Sequence, residues 1–171
     1  FIHPLGQLLG EGYEPEMFYA VEPSIQMYIA EKSEALRELY VSSYSYAATA
    51  NYIHQMATDK LVELFGAAHP QYTRQDFYEL ELATSGMVRS FMARKCDRNF
   101  TMEQKLRRFL SCSMTIYGVA EEKQQQVIDR VLEMDLKSVA DQLVADAIHQ
   151  ADEQYQEAER KGKAIEAARN G

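Results

Sequence analysis

Tryptophan is absent from this 171-residue chain, and cysteine and proline are scarce, with two of the first and four of the second. Cys96 and Cys112 are too few for a disulfide framework. With four scattered histidines they leave no Cys/His zinc spacing. The expected compartment is therefore a reducing one, the cytoplasm, with both thiols free. Positive charge is also short: 18 Lys and Arg stand against 26 Asp and Glu, a formal net charge of −8. Such a chain repels phosphate backbones and anionic lipid. No apolar run approaches the roughly 18 residues of a membrane span, and no signal-peptide pattern is present, so no membrane role is expected. Period-2 alternation is missing and β-branched residues do not cluster, which leaves no convincing strand. The chain begins at Phe1 rather than Met, which leads us to expect a fragment.

What is present is helical. Ala, Glu, Gln, Leu and Met dominate, and the spacing predicts about seven helices in an all-α bundle. "FIHPLGQLLGEG" reads as a short helix ending at Gly10 and Gly12. Pro15 opens a second, with Phe18, Val21, Ile25, Tyr28 and Ile29 on one face and a kink or restart expected near Glu22, before Pro23. Ser33 caps a short third helix carrying Leu36, Leu39 and Tyr40. "YVSSYSYAATANYIH" (40–54) is expected to break near Ser45, whose hydroxyl would cap the fourth helix, and Gly66 to stop that helix. Thr73 with Asp76, and Thr101 with Gln104, predict the starts of the next two. A long last helix is expected from about Glu121, with Ile128, Leu132, Leu136, Val139, Leu143 and Ala147 along one stripe. Residues 1–149 then form one helical domain, and residues 150–171 a polar extension that either continues the helix or frays.

The 73–95 helix stands out because it has two apolar faces. Phe77, Leu80, Thr84, Met87, Val88 and Phe91 make one; Tyr78, Leu82, Ser85, Gly86, Arg89 and Met92 make the other. A surface helix needs only one. Mid-helix, Gly86 costs about 1 kcal/mol relative to Ala, which close approach of another helix would explain. Either the helix is central in a monomer or its second face meets another subunit. The stripe of the last helix is a second candidate for subunit contact.

Catalytic constellations are missing. "GQLLGEG" lacks the lysine and the strand of a phosphate loop, and no HExxH or GxSxG occurs. Glu79 and Glu81 lie two apart, so on a helix they point to different sides and read as a solvated acidic face. No catalytic residue, metal ligand or cofactor is assigned, and the chain is not expected to be an enzyme. Cys112 reads as a small core residue. Cys96 follows "ARK", where cations would lower its pKa if it were a redox sensor, or is an incidental loop thiol. "RKCDR" and "KLRRF" read as solvated or carboxylate-paired. His54 is either a satisfied structural histidine or a ligand contact. Eight methionines and eleven tyrosines suggest an apolar interior rich in hydroxyls, as in a pocket for an amphipathic small molecule, although methionine is also routine core filling.

The helix order, together with "EKSEALRELYVSSYSYAATANYIHQ", "DFYELELATSGMVRSFMARKC", "FTMEQKLRRFL" and "VLEMDLKSVADQ", resembles the C-terminal regulatory domain of TetR-type transcriptional repressors over residues 1–149. The resemblance implies a homodimer, an effector pocket for a small amphipathic or apolar molecule in each subunit, and ligand binding coupled to DNA affinity. DNA would be reached only through a helix-turn-helix that this sequence does not contain. No family motif marks the pocket, so position and chemistry select Tyr28, Tyr44, Tyr52, His54, Met56, Met87 and Phe91 as ligand-binding candidates. Tyr78, Leu82, Gly86, Leu132, Val139 and Leu143 are the dimer-interface candidates. Two other classes compete: a helical adaptor or scaffold without a small-molecule ligand, and a helical enzyme or metal carrier.

Overall fold

A computed structural model describes Leu9 and residues 12–169. Among these there are seven α-helices and no strand: α1 (Pro15–Lys32), α2 (Glu34–Ser43), α3 (Ala47–Phe65), α4 (Arg74–Ala93), α5 (Met102–Ile116), α6 (Glu121–Glu133) and α7 (Leu136–Arg169), with a 3-10 turn at Gly66–Ala68 after α3. None of these helices is long and apolar enough to cross a membrane. The expected all-α bundle is therefore observed, but the helices are not all the expected ones. The short helix expected at residues 1–12 lies outside the described residues except for Leu9 and Gly12. The single long helix expected from Glu121 is two, α6 and α7.

The helix starts follow local chemistry. Thr73 and Thr101 each accept a hydrogen bond from the backbone N–H three residues on, and the Asp76 and Gln104 side chains return it, two complete capping boxes. Ser33 Oγ accepts from the Leu36 N–H at 3.1 Å and caps α2. Ser45 does not cap α3. Its hydroxyl accepts instead from Arg89 at 3.0 Å, and Tyr46 is the N-cap residue, with no side-chain cap. α3 does end at Gly66, its C-cap residue, but the backbone there stays right-handed and passes the chain into the 3-10 turn. The break between α6 and α7 is made by Asp135, whose carboxylate accepts from the Ser138 N–H at 3.1 Å and the Ser138 hydroxyl at 2.7 Å.

The central element is α1, not α4. It packs against all six other helices. Met17, Ala20, Val21, Ser24, Ile25, Met27, Ile29 and Ala30 are buried around its circumference. That burial requires small residues as well as large ones, and Ala20, Ser24 and Ala30 let neighbouring helices come close. The helix runs through Pro23 without a restart, although a proline there cannot donate to the Tyr19 carbonyl. Of the two faces of α4, the one with Phe77 and Thr84 is buried. The other is mixed: Ser85 and Met92 are buried, Leu82 and Gly86 exposed.

The larger core cluster gathers α1, α5, α6 and the first turns of α7. A smaller one joins Leu61 and Phe65 of α3, Phe77 of α4 and Tyr117 after α5. Lys105 is fully buried at the edge of the larger cluster and donates to Glu31 at 3.0 Å and to the Arg94 carbonyl. "KLRRF" is thus carboxylate-paired: Arg107 also bonds Glu103 and Asp129, each at 2.9 Å. Cys112 departs from expectation, since it is exposed rather than in the core. At Cys96 burial raises the thiol pKa more than nearby Lys105 lowers it, which disfavours the redox-sensor alternative and not the incidental loop thiol. Along α7, Leu136 and Ala140 are buried and Val139, Leu143 and Val144 pack on the core; from Ala145 to Ile165 every side chain is exposed.

Candidate functional site

Where the two core clusters meet, the helices do not close on one another. They leave a cavity of about 410 Å³. From α1 it is walled by Tyr19, Glu22, Pro23 and Gln26, and from the end of α2 by Tyr44. From α3 come Tyr52, Ile53, Met56, Ala57, Lys60, Leu61 and Leu64; from α4 Glu81, Thr84, Ser85 and Val88; from α5 Phe109. The volume lies in the range of small-molecule pockets, roughly 300–1,000 Å³, and the mixture of an apolar wall with a few polar groups is typical of them. Tyr52 is 66% exposed and Met56 48%, so these two form the rim. Tyr44 and Glu81 lie deeper.

Sequence position explains how these groups come together. Phe77, Glu81, Thr84 and Val88 follow i, i+4, i+7, i+11 spacing and share one face of α4. The break after α2 turns the chain so that Tyr44 and Tyr52 reach the same space from different helices. Glu22 stands one residue before Pro23, on the only described helix with an internal proline.

A polar chain runs along the cavity wall. His54 Nδ1 is 3.3 Å from Glu81 Oε1. Thr84 Oγ1 donates to Glu81 Oε2 at 3.3 Å and shares a 2.7 Å hydrogen bond with the Tyr117 hydroxyl. Behind it, Tyr117 stacks on Phe65 at 5.1 Å and meets Tyr19 edge-on at 5.1 Å. Burial, with a smaller contribution from the Glu22 charge, pushes the Glu81 carboxyl up to about 8 despite the Thr84 hydrogen bond. Burial also raises Glu22, against the pull of Lys60. Tyr44 is pushed up to about 12 by burial and then by Glu81 and Glu22. Burial likewise holds Tyr19 and Tyr117 well above the ordinary phenol value.

Of the seven ligand-binding candidates, Tyr44, Tyr52 and Met56 line this cavity. His54 reaches it through Glu81, with its ring 6.1 Å from that of Tyr44. Tyr28, Met87 and Phe91 lie outside it: all three pack on the larger core, Phe91 against Phe109 and Phe100. Of the interface candidates, Leu132, Val139 and Leu143 are partly buried against the chain's own core. Tyr78 is half-buried with its ring 6.4 Å from His54. Leu82 is exposed, and a Cβ added at Gly86 would meet nothing within 4 Å.

Sequence reasoning missed Tyr19, Glu22 and Phe109 on the wall, and above all Glu81. It is 6% exposed, not part of a solvated face, while Glu79 is exposed and bonds Gln75. Its register with Phe77, Thr84 and Val88 was the available signal. Among the described residues no three His, Cys, Asp or Glu side chains come together as a metal-ligand set.

Comparison with known protein families, curated proteins and solved structures finds no match. The functional reading therefore stands on the geometry of the cavity and on the sequence pattern.

Proposed function

We propose that this chain is the effector-sensing and dimerisation part of a TetR-type transcriptional regulator. The cavity supports this reading: it opens between α1, α3 and α4, and the tyrosine-rich segment contributes Tyr44 and Tyr52 to it. A ligand there would touch helices from both core clusters and so favour one spacing of them over another. It shifts the population only by its differential affinity for the two arrangements. DNA contact would come from a helix-turn-helix outside this sequence. The exposed small and apolar positions of α4, Leu82 and Gly86, are the surface we assign to the second subunit. Sedimentation equilibrium at micromolar concentration tests the reading. A dimer is expected, converted to a monomer by Leu82→Arg with helicity retained; a monomeric parent chain overturns it.

A second reading, a helical adaptor, is favoured by one observation. The α7 helix continues well beyond its last core contact with every side chain exposed from Ala145 to Ile165. A partner protein seated on that stretch, with an empty cavity throughout, would support the adaptor instead.

A further inference from the structure

We propose that the cavity takes a lipophilic organic monocation, its charge held between Glu22 of α1 and Glu81 of α4 and its apolar body lying against Tyr19, Tyr44 and Phe109. This rests on the effector reading above and names the ligand class for it.

The two carboxylates approach the same space from different helices, and both line it. Among the described residues neither forms an ion pair with a lysine or arginine; the neighbour of Glu81 is His54, at 3.3 Å, and Glu22 accepts only a long 3.5 Å bond from Gln26. Lys60, the cation on the wall, pulls on Glu22 through space without forming an ion pair with it. Its ammonium bonds Glu63 at 3.3 Å and stands 5.9 Å from the centre of the Phe18 ring. A buried carboxyl, Glu81, and a half-buried one, Glu22, facing one cavity are unfavourable unless a cation or protons neutralise them. Glu81 feels its neighbour: the charge of Glu22 adds to the burial that raises it.

The rest of the wall selects the kind of cation. A small hydrated ion needs several hard oxygen ligands, and among the described residues Glu22 and Glu81 are the only carboxylates on the wall, whose other polar groups are Gln26, Lys60, Thr84, Ser85 and the tyrosine hydroxyls. Tyr19 and Tyr44 bring aromatic rings to the wall, and aromatic rings attract an organic cation once it is desolvated. The volume of about 410 Å³ accommodates an apolar body besides the charged group. An anion of the same size would meet two carboxyls, and a neutral analogue would leave them uncompensated.

Three amphiphiles with one tail separate the possibilities: decyltrimethylammonium, 1-decanol and decanoate, titrated calorimetrically below their micellar concentrations at about pH 8. The cation is expected to bind at least about tenfold more tightly than the alcohol, with decanoate weakest. Glu22→Gln and Glu81→Gln should each narrow the gap between cation and alcohol, chiefly by weakening the binding of the cation. Equal affinity for cation and alcohol in the unaltered chain overturns the charge assignment but leaves the effector cavity standing. A gap that survives in both variants does the same. If none of the three binds, the effector reading falls and this inference with it.

Discussion

At Glu81, stability and the cavity pull against each other. In the folded chain burial and the Glu22 charge push this carboxyl up to about 8, whereas in the unfolded chain it titrates near its ordinary value. Between those values the folded state holds a proton that the unfolded state has lost. The stability this group contributes is therefore full below its unfolded-chain value, is lost as pH rises towards and through the folded-state value, and flattens above it. Glu22, also raised, acts in the same direction. We expect urea unfolding to show a loss on the order of 2–4 kcal/mol between about pH 5 and about pH 9. Glu81→Gln should remove most of it and be the more stable protein at the alkaline end. A variant whose pH dependence tracked the parent would place the effect on another group. How far such residues can be read from sequence follows from what they pack against. Tyr44 and Tyr52 line the cavity and belong to a segment unusual in composition; Met56, chosen as a flexible thioether, lines it too. Tyr28, Met87 and Phe91 were chosen on the same chemistry but fill the main core, since periodicity does not distinguish a core face from a cavity wall. Glu81 was missed because its spacing from Glu79 was weighed, and its register with Phe77 and Thr84 was not.

For whole helices, legibility tracks how local the determining contact is. The capping boxes at Thr73 and Thr101 are closed within three residues and were readable. Ser45 was not, because the hydroxyl is taken by Arg89, 44 positions along the chain. The α6–α7 break carries no Gly or Pro, and the capping pair Asp135 and Ser138 lay unnoticed within a continuous apolar stripe. The end of α5 shows a stop that local chemistry does predict. Gly118 has φ of +69°, and a Cβ there would lie 3.0 Å from His69 Cε1. The same His69 ring has its Nε2 2.7 Å from the Tyr117 carbonyl and stacks on Tyr72. Gly118→Ala should therefore cost about 1–2 kcal/mol in urea unfolding. In a His69→Ala background the added cost should shrink but not vanish, because the left-handed backbone remains. An unchanged cost would assign all of it to the backbone.

For the whole molecule, the all-α architecture was legible from composition and spacing, but its centre was not. Two apolar faces pointed to the 73–95 helix. The helix buried all round is α1, whose pattern is blurred because it has contacts on every side. The periphery is simpler. Since α7 makes its last core contacts by Val144, removing the residues beyond 149 should leave the calorimetric Tm unchanged. A fall of several degrees would show that the extension stabilises the fold, as a subunit contact through it would. The same stretch governs how the protein moves through water. At 1.5 Å per residue, the helix from Ala145 to Arg169 is an arm of about 37 Å, attached to a body whose radius of gyration is about 15 Å. Such a shape experiences more friction than a sphere of equal mass. A single chain would elute early from a sizing column, at the volume of a rounder and heavier particle, and its tumbling would be faster about the arm's axis than across it.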